Sequence, residues 1–261
     1  MIEILYIIFT CLFGLAIGSF LNVVIYRLPL RMNLSYPPSH CPVCNARLKW
    51  YHNIPIFSYL FLGGKCAFCK APISPRYMIV ELLNMILWLL CYLKFELSIF
   101  TILAMIFCSA LICVFYIDFE HMIIPDSINI LIAILGVIAC IFCSNSIGAM
   151  WYDRLIGGIG MFVLTLALSF GFKAILKKEA LGGGDIKLLT ACGLLLGWKL
   201  SLFSLFLASL LATIFVAILL IRKKMTKETQ VPFGPFLSIS FVFSLFLGNP
   251  LLYWYFNLFE I

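Results

Sequence analysis

Long apolar runs dominate this chain and limit what it can fold into. Residues 4–26, 78–94, 98–117, 123–143, 155–176, 186–198, 201–221 and 234–256 are apolar almost throughout. A helix needs about 20 apolar residues to cross a bilayer, and most of these runs supply them. In hydrocarbon the backbone polar groups must be satisfied within the chain, so such runs become helices. Of 261 residues, 64% are hydrophobic and 11% charged, and the mean hydropathy is +1.13. The fold class expected is therefore an all-α polytopic membrane protein with about eight transmembrane helices; a soluble domain is excluded. The run 186–198 is short, and it is counted as a span because the charges downstream require it. No cleavable signal sequence is expected, because Arg27 and Arg31 follow the first run rather than precede it. No internal repeat is read.

Lysines and arginines set the orientation. Segment 27–77 holds seven of them and no Asp or Glu. Lys173, Lys177, Lys178 and Lys187 form a second cluster, and Arg222, Lys223, Lys224 and Lys227 a third. The opposite ends of the spans carry Lys94, Arg154 and Lys199. The positive-inside rule then puts the three clusters in the cytosol and both termini outside. Anionic membrane lipids answer the net charge of +7, and no nucleic-acid partner is implied.

Segment 27–77 differs in kind from the rest. It is rich in proline and contains Cys41-Pro-Val-Cys44 and Cys66-Ala-Phe-Cys69. Two C-x2-C knuckles at this spacing place four thiolates around one tetrahedral Zn²⁺. Two disulfides or four free thiols are the alternatives, and a reducing cytosol disfavours the disulfides. A four-cysteine set leaves no open position, so the metal is structural. His40 and His52 are read as surface residues. The remaining cysteines, Cys11, Cys91, Cys108, Cys113, Cys140, Cys143 and Cys192, are expected to pack as small hydrophobes.

Two aspartates carry the chemistry. Asp118 closes the run 98–117, and Asp185 follows Gly182, Gly183 and Gly184 at the start of the run 186–198. The chain has only eleven acidic residues, and a carboxylate at a membrane edge usually faces a cavity or a functional path. The topology puts both on the cytosolic side, where one carboxylate can act as base toward water and the other, protonated, can donate to a scissile carbonyl. The glycines leave room for a substrate backbone and permit unusual dihedrals. Opposite helix ends are expected to make Asp185 the better base. Asp126 is the rival of Asp118, with helix capping as its plainer role. Glu81 is an internal hydrogen-bond partner and a candidate substrate contact. Lys187 is a candidate substrate contact or a topology charge.

These features together resemble the bacterial type IV prepilin peptidases, membrane aspartic proteases of the GxGD type. The resemblance rests on Gly18-Ser-Phe-Leu-Asn-Val-Val-Ile-Tyr-Arg-Leu-Pro29, the four insert cysteines with Asn53-Ile-Pro55, and Ser74-Pro-Arg-Tyr77 leading to Glu81. It rests also on Asp118 with Ile124-Pro-Asp126, on Gly182-Gly-Gly-Asp-Ile-Lys-Leu188, and on Pro232-Phe-Gly-Pro235. The resemblance implies removal of a short basic leader from prepilins and pseudopilins, cut after a glycine, with Asp118 and Asp185 as the catalytic pair. It implies N-methylation of the exposed residue from S-adenosylmethionine, with no residue assigned to the donor. It implies a multi-pass protein of the bacterial inner membrane, organised as a first span 1–26, a zinc insert 27–77 and a peptidase region 78–261. The family's substrates usually carry a Glu a few residues past the cut, and Lys187 is the expected partner for it. An intramembrane protease cutting inside spans, or a transporter using both aspartates as a proton relay, are the competing readings.

Overall fold

The computed structural model describes residues 2–143, 145–176, 181–222 and 231–258. Lys177, Lys178, Lys223, Lys224 and Lys227, counted above for topology, lie outside the described residues. Every apolar run is a helix: α1 (Ile2–Arg27), α3 (Arg76–Phe95), α4 (Ile99–His121), α5 (Asp126–Phe142), α6 (Trp151–Leu176), α7 (Gly183–Leu196) and α8 (Trp198–Ile221). The last run is α9 (Gly234–Phe243) and α10 (Asn249–Leu258), joined by a π-helical turn over Ser244–Gly248. The short α2 (Phe57–Phe61) lies in the insert. Among the described residues, six helices are long and apolar enough to cross a bilayer.

The chain divides into two compact units, Met1–Cys113 and Val114–Ile261. In the first, α1 and α3 pack closely because Gly14 and Gly18 lack side chains. A Cβ at Gly14 would lie 2.9 Å from the Met85 Cα, and one at Gly18 2.8 Å from the Glu81 Cα. Close approach of this kind lets polar side chains join helices inside a membrane. Asn84 donates to the Gly14 carbonyl (2.7 Å), Ser109 donates to Asn84 (2.7 Å), and Asn22 donates to the Tyr77 carbonyl (3.1 Å).

In the second unit α7 is the central helix. It has 14 residues, about 21 Å of length, well short of the hydrocarbon thickness. It needs no more, because α5 and α6 pack along it and its flanks are buried: Leu188, Leu189, Cys192 and Leu195 have no exposure. The contact with α6 is backbone to backbone, and a Cβ at Gly157 or Gly193 would lie 2.4 Å from the other's carbonyl oxygen.

Arg154, expected as an outer-face topology charge, has no exposed surface. Its guanidinium donates to the carbonyls of Leu195, Cys143 and Ser146 and to the Ser146 hydroxyl. It serves carbonyls where α5 and α7 end, the position at which a cation is most favourable.

Candidate active site and candidate metal centre

Asp118 sits in the last turn of α4 and Asp185 in the first turn of α7. Both line one cavity of about 260 Å³, together with Asp126, Gly182, Gly183 and Gly184 and the connection from Met122 to Ile124. Asp118 is buried and Asp185 half-buried.

Each carboxylate is held by one backbone N–H at a helix N-terminus. Gly182 donates to Asp185 Oδ2 (3.1 Å), and Gly234, the first residue of α9, donates to Asp118 Oδ2 (2.8 Å). This corrects the helix-end expectation. Asp118 does lie at the C-terminus of α4, but its carboxylate meets the N-terminus of α9, so both aspartates receive the favourable end of a helix dipole. Burial and the adjacent Asp118 carboxylate push Asp185, outside the apolar stretch 186–198, up to about 6. Two like charges facing one cavity resist joint ionisation, so a charge on one disfavours ionisation of the other. No other hydrogen bond reaches either carboxylate among the described residues, which leaves the two Oδ1 atoms free for a ligand.

Gly234 is the residue that the sequence reading passed over. A Cβ there would lie 2.7 Å from Asp118 Oδ2 and 2.9 Å from its Cβ and Cγ. No larger side chain fits, and only a bare backbone brings its N–H this close. The Pro-Phe-Gly-Pro pattern was the available signal. Pro235 occupies the first turn of α9, where its missing N–H costs nothing, and the glycine before it presents the donor.

Gly182, Gly183 and Gly184 serve by their size. None has a positive φ, so the expected unusual dihedrals are not used. Gly183 has nothing within 4 Å of where a Cβ would stand, while Gly184 packs on Ile124 with its Cβ position 3.1 Å from the Ile124 Cβ. The glycine run thus offers an open edge and also seats the α4–α5 connection.

Asp126 is the first residue of α5 and makes no capping hydrogen bond. Its carboxylate instead accepts from Lys187 Nζ at 2.7 Å, with both side chains exposed. Lys187 and Asp185 are two apart on α7 and do not share a face, so the lysine stands at the rim and not beside the pair. Glu81 is in the other unit, where it accepts the Ile56 N–H at 2.7 Å; this is the internal partnership expected of it.

The insert brings its cysteines together. The sulfurs of Cys41, Cys44, Cys66 and Cys69 all lie within 4.8 Å of one another, and those of Cys41 and Cys69 are 3.9 Å apart. Zn–S bonds of about 2.3 Å imply a tetrahedral edge of about 3.8 Å, so the cluster fits a metal ion. All four are free thiols. The two knuckles repeat one geometry, a local repeat unnoticed in the sequence. Cys41 N–H bonds the Ala46 carbonyl and Cys66 N–H the Ala71 carbonyl, at 3.0 and 2.8 Å. Asn45 and Lys70, each four residues after the first cysteine, have φ of 55° and 61°. The N–H groups of Cys69 and Phe68 hold the Cys66 thiol down to about 6, while burial and the neighbouring thiols push Cys69 up to about 11, so the crowded sulfurs resist ionising together without a cation between them. His40 is exposed and His52 half-buried against Tyr51 and Phe68, and neither joins the cluster. The other seven cysteines are also free, and Cys91, Cys108, Cys113, Cys143 and Cys192 are buried.

Comparison with known proteins gives a consistent result. Residues 12–95 match the bacterial peptidase A24 N-terminal domain, and residues 105–217 match the type IV leader peptidase family. A prepilin leader peptidase/N-methyltransferase of Aeromonas salmonicida strain A449 is 33% identical over 278 residues, covering 96% of this chain and 94% of that protein. Proteins of the same description from Legionella pneumophila (32% identity, 94% of this chain, 92% of that one) and Dichelobacter nodosus (36%, 90% and 89%) also align along nearly the whole length. No solved structure matches.

Proposed function

The chain belongs to the type IV leader peptidase family, and on that premise we propose that Asp118 and Asp185 are the catalytic pair of a membrane aspartic endopeptidase that processes prepilins and pseudopilins. The cut falls after the glycine that ends the short basic leader, at the cytosolic face. One carboxylate takes a proton from water, and the other, protonated, donates a hydrogen bond to the scissile carbonyl. The hydroxide equivalent adds to the carbonyl carbon, the C–N bond breaks, and the amine leaves with the proton. The observation that carries this reading is that both carboxylates line one cavity, each steadied through one oxygen by a backbone N–H with its other oxygen free. Preorganisation of this kind is what lowers a barrier without reorganisation during the reaction. The open edge at Gly182 and Gly183 gives the substrate backbone a path to the pair.

The relatives' description joins this activity to N-methyl transfer, and the proposal extends to it: S-adenosylmethionine supplies a methyl group to the new N-terminal residue. Cys41, Cys44, Cys66 and Cys69 would hold one structural Zn²⁺, which cross-links the two knuckles and contributes folding free energy to the insert. Functionally the parts are the span 1–26, the insert 27–77 and the peptidase region 78–261, in a multi-pass inner-membrane protein with both termini outside.

The test is incubation of the reconstituted protein with a full-length prepilin, with mass spectrometry of the product. The expected product lacks the leader and carries one added methyl when the donor is present. Asp118→Asn and Asp185→Asn should each lose several orders of magnitude in rate, as happens when half of a cooperating pair is removed, and Asp126→Asn should do less harm. Normal turnover by Asp118→Asn would sink the assignment.

We also propose Lys187 as the partner of the substrate's Glu. Its ion pair with Asp126 is exposed on both sides, and such pairs are worth under about 1 kcal/mol, so a substrate carboxylate can displace it. A double-mutant cycle between Lys187→Met and the substrate Glu reads this directly, and coupling below about 0.5 kcal/mol would remove the role.

A further inference from the structure

Residues 50–64 of the insert contain no charged side chain, yet they stand between Lys49 and Lys65 in a segment otherwise strongly basic. Their apolar side chains are not packed away. Trp50 is 80% exposed and Phe61 86%, and Ile54, Phe57 and Leu60 are exposed beside them. An uncovered cluster of large apolar groups marks a surface that is covered in use. A single hydrogen bond places it. The Ile56 N–H donates to Glu81 Oε2 at 2.7 Å, and Glu81 is the sixth residue of α3, a helix of 20 residues that qualifies as a membrane span. Five residues of α-helix amount to about 7 Å. Ile56, with α2 directly after it, is therefore held beside α3 about one and a half turns in from the end where the span emerges from the membrane. A segment held at the end of a span lies within reach of the headgroup and upper acyl region, where aromatic side chains are most favourable.

We propose that residues 50–62 are an interfacial anchor that lays the insert onto the anionic lipid surface of the leaflet from which α1 and α3 emerge. The charges complement that surface. Arg31, Arg47, Lys49, Lys65 and Lys70 are exposed, and segment 27–77 has no acidic residue to oppose them. Apolar side chains inserted at the interface and basic ones reaching phosphate are the two components of peripheral membrane binding. Lys49 and Lys65 bracket the apolar stretch, where their stems can lie along it while the ammonium groups meet the headgroups. The anchor holds the two cysteine knuckles at the membrane surface, close to the site at which the chain enters it.

The experiment is fluorescence quenching in proteoliposomes with the full chain. Phosphatidylcholine and phosphatidylglycerol vesicles carry bromine at a shallow or a deep acyl position, and the wild-type emission is compared with that of Trp50→Phe. The difference isolates Trp50 from the other four tryptophans. The expected result is a blue-shifted Trp50 component that is quenched by the shallow bromines and only slightly by aqueous iodide. It should lose its shift when phosphatidylglycerol is omitted at moderate salt or when Lys49 and Lys65 are both changed to Gln. A Trp50 component open to iodide and insensitive to bromolipid overturns the proposal. So does protection that arises only when prepilin is added, which would make the surface a protein dock. The measurement does not involve peptide cleavage, so it stands or falls apart from the catalytic assignment.

Discussion

Gly234→Ala is the sharpest test of how the proposed active site is built. The added methyl would stand 2.9 Å from the Cβ and Cγ of Asp118 and 2.7 Å from its Oδ2. Ordinary contact begins near 3.4 Å, so α9 and Asp118 must separate by about 0.5–0.7 Å. Rotation of the carboxylate cannot relieve this, because the aspartate's own Cβ is part of the clash. The N–H to Oδ2 distance, now 2.8 Å, would stretch past 3.3 Å, where most of the hydrogen bond is lost. A hydrogen bond to a charged group is worth about 1.5–3 kcal/mol, or roughly 10- to 100-fold in rate if it positions the carboxylate in the transition state. The assay is steady-state cleavage of a prepilin in proteoliposomes, with the melting temperature measured in parallel. If Asp118 is catalytic as proposed, the expectation is a fall of about 10- to 100-fold in kcat with KM little changed, since the contact orders the carboxylate. Gly160→Ala is the matched control, because nothing lies within 4 Å of that Cβ position, and it should be neutral. A folded Gly234→Ala protein with kcat within about threefold of wild type, a barrier change under about 0.7 kcal/mol, would refute the positioning role.

Two further outcomes are expected. Purified, reduced protein should contain about one Zn²⁺ per chain, and changing Cys41 and Cys44 to Ser should release it and expose 27–77 to proteolysis; metal-free wild-type protein, or unchanged zinc in the double variant, contradicts the cluster. Asp185, held up to about 6 against an ordinary 3.8, binds a proton more tightly in the folded chain, so its contribution to stability declines as pH rises through that window. Asp185→Asn should therefore gain in melting temperature relative to wild type between those pH values, and the opposite trend would show that the carboxylate is not held in its protonated form.

Local chemistry made part of this protein legible. Apolar runs become helices in a membrane whatever surrounds them, because the backbone has no other partner there, so the sequence determined every helix from α3 to α8 within a few residues. The cysteine spacing determined the four-cysteine cluster for a similar reason: each knuckle closes on itself within six residues, and only the pairing of the two knuckles is tertiary. Asp118 and Asp185 stood out as candidates because a carboxylate at a membrane edge is costly and rare, and they do line one cavity. What the tertiary structure alone decided is how distant segments meet. Gly234 is 116 residues from Asp118, and no periodicity links a helix N-terminus to a carboxylate so far away in the chain. Lys187 meets Asp126 across 61 residues, which turned an expected cap into half of an ion pair. Arg154 read as a surface charge because sequence shows a guanidinium but not the carbonyls that the ends of α5 and α7 bring to it. The length of α7 was anomalous for the same reason. A lipid-facing span must match the bilayer, whereas a helix enclosed by α5 and α6 has only to match its neighbours, and that enclosure depends on glycines 157 and 193 facing each other.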